Sequence, residues 1–383
     1  MTPLSTRERT LGLVAILSSC GAFAVGLGLT LPLLSLLLER RGLPGSINGL
    51  NLATAGAAAL FITPLVPRLM RNLGTARYLC AALVVSSGAL FLLYAVPNLW
   101  FWFPIRFLFS AGLNGLFVAS EFWINQLAEE HNRGRYISLY GATTAGGFGL
   151  GPAILWAFGA HGITPFLLGS GLLLAATIPI FIARRAAPQL SKEPGPSVLW
   201  ALRAAPGILS AALLFGMIDA GLWGLFPVYA VRSGYTEGHA ALAITAMSMG
   251  SIVLQYPLGR LADRVDRRLL LMGCAATGVA GALLTPFLIH RPWALYPLLF
   301  VWGGIVFGIY TIGLTLVGQR FKGVELASAN ACYVMLYAAG MLVGPALEGV
   351  ALDAWNPTGL MVALAAFCLI YVGILGLRRS RPA

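Results

Sequence analysis

The chain alternates long apolar runs with short breaks that are charged or rich in proline and glycine. Because the hydrocarbon core of a bilayer is about 30 Å thick, a helix of about 20 apolar residues crosses it. Each apolar run therefore predicts a membrane-spanning helix, and the pattern predicts an all-α integral membrane protein with twelve transmembrane helices. The twelve runs cover 10–38, 46–67, 76–97, 99–126, 136–158, 162–183, 205–231, 239–258, 269–289, 293–318, 327–352 and 357–377.

Composition agrees with this class. Hydrophobic residues make up 58% of the 383 residues and charged residues only 10%, whereas soluble domains carry about 25% charged residues. The first run is longer than the apolar segment of a signal peptide, about 7–15 residues, so we expect it to stay as the first helix.

The net charge of +12 is explained by topology. With the N-terminus placed in the cytoplasm, 20 of the 25 basic residues lie on the cytoplasmic side, 4 lie on the outer side, and Arg106 lies within a helix. Such an excess of basic residues on one side follows the positive-inside rule. We therefore expect a multi-pass protein of the cell inner (plasma) membrane with both termini in the cytoplasm, and no nucleic-acid partner.

The chain contains two halves that resemble each other. A polar stretch, 184–204, separates six runs within 1–183 from six runs within 205–383. The motif Gly-x-x-x-Gly-Pro at 147–152 in the fifth run returns at 340–345 in the eleventh. Repetition at a fixed offset indicates duplication, which predicts two pseudo-symmetric six-helix bundles joined by a cytoplasmic linker.

The stretch GRLADRVDRR, which lies between the eighth and ninth runs, carries six charges between apolar segments. It resembles the signature loop of the major facilitator superfamily, Gly-x-Leu-Ala-Asp-Arg-x-Gly-Arg-Arg, although Asp266 stands where the family usually has glycine. The resemblance implies a cytoplasmic latch that holds one closed arrangement; the alternative is a solvated turn whose arginines only set topology. The predicted latch comprises Gly259, Asp263, Arg264, Arg267, Arg268, Glu121, Arg133 and Arg135, with Glu121 pairing with one of the last two arginines or, alternatively, binding substrate.

The resemblance also implies a secondary transporter with alternating access around a midplane cavity, and an arginine in the fourth helix that acts in proton coupling. Arg106 occupies that place, and the alternative is that it extends toward the outer surface. Charges at membrane depth are functional candidates because their burial is expensive. Asp219 and Glu348 are therefore further candidates for proton coupling, although Asp219 could instead be a structural hydrogen-bonding group.

Polar and aromatic side chains share faces of several runs, which favours a central polar cavity over contacts that only join helices. The candidates for lining the substrate cavity are Asn114, Trp223, Thr245, Ser248, Tyr310, Tyr333 and Tyr337. Five cysteines lie singly within the runs and resemble small apolar residues. The sequence shows no catalytic constellation, so we expect neither an enzyme nor a metal or other cofactor.

These features predict proton-coupled transport of a small organic solute, with export by antiport ahead of uptake. The Gly-x-x-x-Gly-Pro element of the fifth run resembles the antiporter motif of drug exporters, but Ile154 and Leu155 follow where a glycine pair would strengthen it. The alternatives are proton-linked uptake of a nutrient such as a vitamin (for example riboflavin) or a metabolite, and a membrane receptor or scaffold that does not transport. The expected partners are the solute, protons and the lipid bilayer, and we expect a monomer.

Overall fold

A computed structural model describes residues 5–128, 133–188, 203, 206–262, 264–321 and 323–379. Over these residues the chain forms α-helices and one 3-10 turn, and no β-strand. The helices are α1 Thr6–Arg40, α2 Gly45–Ile62, α3 Val66–Leu73, α4 Thr75–Ala95, α5 Leu99–Leu127, α6 Arg133–Phe158, α7 Thr164–Ala175, α8 Thr177–Ile182, the 3-10 turn Ala183–Ala186, α9 Pro206–Arg232, α10 Glu237–Ala262, α11 Arg267–Leu288, α12 Pro292–Val306, α13 Gly308–Arg320, α14 Gly323–Ala354 and α15 Gly359–Arg379.

Eleven helical stretches among the described residues are long and apolar enough to cross a membrane. Two of these stretches each contain two α-helices, α7 with α8 and α12 with α13, and the residues that join them, Ala176 and Phe307, keep helical dihedral angles. The predicted run 136–158 is also helical, as α6, but is not among these eleven stretches. The all-α membrane fold predicted from the sequence is thus confirmed, with a helix count close to twelve.

The second predicted run, 46–67, is longer than the helix that it forms. Helix α2 ends at Ile62, and α3 begins at Val66 after a short turn. Pro64 and Pro67 account for the difference, because proline lacks an N–H group and cannot continue a helical hydrogen-bond ladder. Helix α3 ends at Gly74, whose φ of 83° favours glycine.

Contacts divide the chain into two compact units. Unit 1 comprises 1–30 and 57–192, and unit 2 comprises 31–56 and 193–383. The last part of α1, residues 31–40, and most of α2 therefore belong to the same unit as the helices from the second half of the sequence. The predicted boundaries at 183/184 and 204/205 stay a prediction.

The Gly-x-x-x-Gly-Pro motif of unit 1 packs α6 against α1. A Cβ atom added at Gly151 would collide with the backbone of Gly28 and Leu29, and one added at Gly147 would lie 2.7 Å from the Cβ of Ala24. Glycine is therefore needed at both positions for this close helix approach.

The copy of the motif in unit 2 makes the equivalent contact between α14 and α9. A Cβ atom at Gly340 would collide with the carbonyl oxygen of Leu213, and one at Gly344 would collide with the backbone of Met217. The fifth predicted run thus packs on the first in one unit, and the eleventh packs on the seventh in the other. The repeated motif thus makes the same kind of helix contact in each unit.

Candidate functional site

Asp219 lies near the middle of α9 and is held by two hydrogen bonds. The indole Nε1 of Trp223, one turn along α9, donates to Oδ1 at 2.9 Å. The hydroxyl group of Tyr337, on α14, donates to Oδ2 at 2.6 Å. Asp219 is 8% exposed, so these donors stabilise a polar group that would otherwise be costly to bury.

Aromatic rings surround this carboxyl group. Phe215, one turn before Asp219, has its ring centroid 5.3 Å from that of Phe307, 5.4 Å from that of Tyr310 and 5.8 Å from that of Tyr337. The rings of Trp223 and Phe307 make an edge contact at 6.2 Å. We call Asp219 with these rings and that of Tyr333 the aromatic cluster; all its members belong to unit 2.

Tyr333 joins the aromatic cluster through Tyr310. Their ring centroids lie 5.1 Å apart, and the Tyr333 hydroxyl group donates to the backbone oxygen of Tyr310 at 2.8 Å. The structure therefore brings together Asp219 and four of the predicted cavity residues, namely Trp223, Tyr310, Tyr333 and Tyr337. Sequence reasoning missed Phe215 and Phe307, because isolated phenylalanines in apolar helices carry no distinguishing signal.

Glu348 lies on α14 and is fully buried. Neither carboxyl oxygen has a hydrogen-bond partner among the described residues. Its carboxyl group occupies the space that a side chain at Gly221 on α9 would fill, and it interacts electrostatically with Asp219. Glu348 is therefore a buried acid that the fold accommodates through a glycine rather than through a polar partner.

Arg106 lies in α5 of unit 1 and is 2% exposed. Asn114, two turns further along α5, donates from Nδ2 to the backbone oxygen of Ser110 at 2.8 Å. Ser110 itself is buried. Two polar residues on one face of this helix, Arg106 and Ser110, are therefore buried inside the protein.

Thr245 and Ser248 lie on α10 and bind their own helix. Thr245 donates to the backbone oxygen of Ala241 at 3.2 Å, and Ser248 donates to that of Ile244 at 3.0 Å. Within the described residues, neither hydroxyl group makes a hydrogen bond to the aromatic cluster.

A cavity of about 250 Å³ lies between α10 and α13 in unit 2. The hydroxyl group of Thr311 donates to the side-chain oxygen of Gln255 at 3.0 Å in its wall. The cavity is lined by Gln255, Leu258, Gly259, Ala262, Gly308, Thr311, Ile312 and Thr315. The first residue of the predicted latch, Gly259, therefore borders this cavity.

The loop between α10 and α11 is ordered by Asp266 and Arg267. Asp266 caps α11, because its Oδ1 accepts from the backbone N–H groups of Arg268 at 2.7 Å and Leu269 at 3.1 Å. Arg267 donates from Nε to the backbone oxygen of Ala262 at 2.8 Å, and Arg264 is exposed. An N-cap explains why an aspartate is acceptable where the signature has glycine.

Other parts of the predicted latch are less completely described. Asp263 lies outside the described residues, as do the side chains of Arg133 and Arg135 at the start of α6. Glu121 is exposed near the end of α5. The predicted pairing of Glu121 with these arginines stays a prediction.

One group of charged residues in unit 2, which the sequence did not single out, forms an ion network. Arg232, at the end of α9, binds Glu39, at the end of α1, through two hydrogen bonds of 2.8 and 2.9 Å. Asp353 lies 3.7 Å from Arg232 and accepts from the N–H groups of Gly45 and Ser46, at the start of α2. A second pair joins Arg40 to Glu237. This helix-end ion network links the ends of five helices, α1, α2, α9, α10 and α14.

No group of three or more histidine, cysteine, aspartate or glutamate residues that could hold a metal ion occurs in the described part of the chain. The five cysteines are free.

Comparisons with known proteins agree on one family. The family model of the Major Facilitator Superfamily matches residues 11–311 and 208–383. The chain is 26% identical over 353 residues to the uncharacterized MFS-type transporter YfkF of Bacillus subtilis (strain 168), covering 88% of this chain and 87% of the relative. It is 25% identical to the uncharacterized MFS-type transporter Ent638_1421 of Enterobacter sp. (strain 638), with 94% of each chain covered.

Solved structures share the fold at low identity. A mutant of the nucleoside transporter NupG matches with a TM-score of 0.78 at 14% identity, covering 97% of this chain and 99% of the other. A bacterial homologue of the human lysosomal transporter Spinster, in an inward-facing and unoccupied conformation, matches with a TM-score of 0.75 at 12% identity, covering 98% and 97%. Together with the family match over nearly the whole length, these findings establish that the chain is a membrane transporter belonging to the Major Facilitator Superfamily.

Proposed function

We propose that the chain is a proton-coupled secondary transporter that moves a small organic solute across the cell inner membrane, with export by antiport as the favoured direction. Glu348 is the observation that carries this proposal. Burying an ionised carboxylate without a partner costs far more free energy than burying the neutral acid. A fully buried, unpartnered carboxyl group therefore exchanges its proton in a conformation that hydrates it, which links proton release to conformational change.

Asp219 is the second proton-coupling residue in this proposal. It interacts electrostatically with Glu348, so a charge on one carboxyl group disfavours a charge on the other. Unlike Glu348, it is oriented by two donors and lies among aromatic rings. Arg106, buried in unit 1, is the third candidate, because a charge at membrane depth is functional by default.

Two sequence features support the direction and the orientation in the membrane. The Gly-x-x-x-Gly-Pro motif of α6 resembles that of drug antiporters, which favours export. The excess of basic residues on the side of the N-terminus supports an inner-membrane protein with both termini in the cytoplasm.

The test uses proteoliposomes that contain the full chain. Solutes, including nucleosides because NupG is named a nucleoside transporter, are first screened for thermal stabilisation at two pH values, since a ligand stabilises the state that it binds. For each hit, we expect uphill solute movement driven by a pH gradient, together with movement of protons in response to the solute. A protein that binds solute but moves neither would be a receptor, and the proposal would fail.

The variant Glu348→Gln separates coupling from transport. It keeps the size of the side chain, so we expect exchange of labelled solute across the membrane to continue while accumulation driven by the pH gradient is lost. Glu325→Gln is the matched control, because Glu325 is an exposed acid on the same helix and should accumulate solute as the wild type does. Normal accumulation by Glu348→Gln would remove Glu348 from the proton pathway.

A further inference from the structure

The aromatic cluster combines one carboxyl group with six rings on three helical segments. Phe215 and Trp223 come from α9, Tyr333 and Tyr337 from α14, Tyr310 from α13, and Phe307 from the junction of α12 and α13. Both carboxyl oxygens accept hydrogen bonds from aromatic side chains, Trp223 and Tyr337, rather than from a basic residue. These donors therefore orient the carboxyl group without bringing a positive charge to it.

The cluster has a closed side and an open side. Phe215, Trp223 and Tyr333 are buried, whereas Phe307, Tyr310 and Tyr337 each keep part of their surface exposed. The buried rings fix the positions of the partly exposed ones through the ring contacts described above. Fixed ring surfaces beside a carboxyl group are thus available for contact with a ligand.

Phe307 joins α12 and α13 within a continuous helical segment. Helix α12 ends at Val306 and α13 begins at Gly308, while Phe307 keeps helical dihedral angles and donates its N–H group to the backbone oxygen of Gly303 at 3.1 Å. The partly exposed ring of Phe307 is therefore held by a regular helical backbone.

We propose that the aromatic cluster binds an organic monocation with a flat or apolar substituent, whose positive charge lies between Asp219 and the rings of Phe307, Tyr310 and Tyr337. The face of an aromatic ring attracts a cation through its quadrupole, most strongly where water is excluded. A carboxyl group beside the rings adds attraction for a cation and repels an anion. The inference rests on the proposed function, because it names the solute class that the transporter carries.

Binding of paired probes to the purified full chain in detergent tests the class of ligand. N-methylquinolinium is paired with quinoline, which is uncharged at neutral pH, and tetraphenylphosphonium with tetraphenylborate, which has the same shape and the opposite charge. Thermal stabilisation and titration calorimetry are measured at one pH and one ionic strength. We expect at least one cation to bind about tenfold or more tightly than its counterpart, a difference of about 1.4 kcal/mol. Equal affinities within both pairs, or no binding of either cation, would overturn the inference.

Variants locate the binding within the cluster. Tyr310→Leu should weaken cation binding by roughly 2- to 30-fold, the range of one cation–π contact, and Asp219→Asn should remove the preference for the cation. Tyr94→Leu is the control, because Tyr94 is an exposed residue of α4 in unit 1, and it should bind as the wild type does. Unchanged cation binding by Tyr310→Leu would place the ligand elsewhere and refute the assignment. If Asp219→Asn does not fold, the inference is tested by the affinities of the probe pairs and by cation binding to Tyr310→Leu.

The outcome is separable from that of the proposed function, since binding is measured without a gradient. A protein that prefers cations but moves no protons would refute proton coupling and leave the cation site intact. A protein that couples another solute to protons and binds neither cation would refute the cation site alone.

Discussion

The contact between Gly221 and Glu348 provides a sharp test of how α9 and α14 accommodate a buried acid. In Gly221→Ala the new methyl group would collide with the carboxyl group of Glu348, and its Cβ atom would lie 2.6 Å even from the farther oxygen, Oε1. Overpacking a well-packed interior costs about 1–3 kcal/mol. Alanine in place of glycine also favours the helix by about 1 kcal/mol, so the net change alone would be ambiguous.

A matched glycine removes this ambiguity. Gly273, within α11 of the same unit, has no atom within 4 Å of an added Cβ, so Gly273→Ala gains helix propensity without a collision. We therefore expect Gly221→Ala to be less stable than Gly273→Ala by about 1–3 kcal/mol, measured by thermal and denaturant unfolding in one detergent. Equal stability of the two variants would refute the assigned contact.

A double-mutant cycle tests whether Glu348 is the cause. In Glu348→Ala the carboxyl group is absent, so the methyl group of Gly221→Ala should no longer be destabilising. Residues in contact have interaction energies of about 0.5–3 kcal/mol in such cycles. An additive cycle would show that the cost of Gly221→Ala arises from another neighbour.

Three smaller tests address other contacts. Arg232→Gln removes the paired hydrogen bonds to Glu39, so we expect the free energy of unfolding to fall by about 1.5–3 kcal/mol. An unchanged temperature of thermal unfolding would contradict the network. Asp266→Ala should cost about 1 kcal/mol and Asp266→Gly only a few tenths; equal losses would contradict the N-cap. Tyr337→Phe removes the hydroxyl group that donates to Asp219 but keeps the aromatic ring, so the free energy of unfolding should fall by about 1–3 kcal/mol. An unchanged free energy of unfolding would mean that another donor replaces the hydroxyl group.

The fold could be predicted from the sequence because membrane-spanning helices are local features. Length and hydropathy alone define them, and the motif at 340–345 identified the glycines of a close helix contact. The early end of α2 was signalled by Pro64 and Pro67, and their effect should have shortened the predicted run 46–67.

The residues of the candidate site could be predicted from the sequence, but the contacts between them could not. Helical periodicity placed Tyr333, Tyr337 and Glu348 on one face of α14. Only the packing of two helices shows that Tyr337 reaches Asp219 whereas Glu348 faces a glycine. The helix-end ion network was missed for the same reason: Arg232 and Glu39 lie 193 residues apart in sequence, and no local pattern joins them.

Helix α9 connects three features that the sequence presents separately. Asp219 and Gly221 are two residues apart, and at about 100° per residue they point to nearly opposite sides of the helix. Side chains of α14 nevertheless reach both positions, Tyr337 at Asp219 and Glu348 at Gly221. The last residue of α9, Arg232, belongs to the helix-end ion network. Because a helix moves largely as a rigid body, a displacement of α9 against α14 would change the surroundings of both carboxyl groups at once. Under the proposed proton coupling, such a displacement would alter the protonation of both acids together.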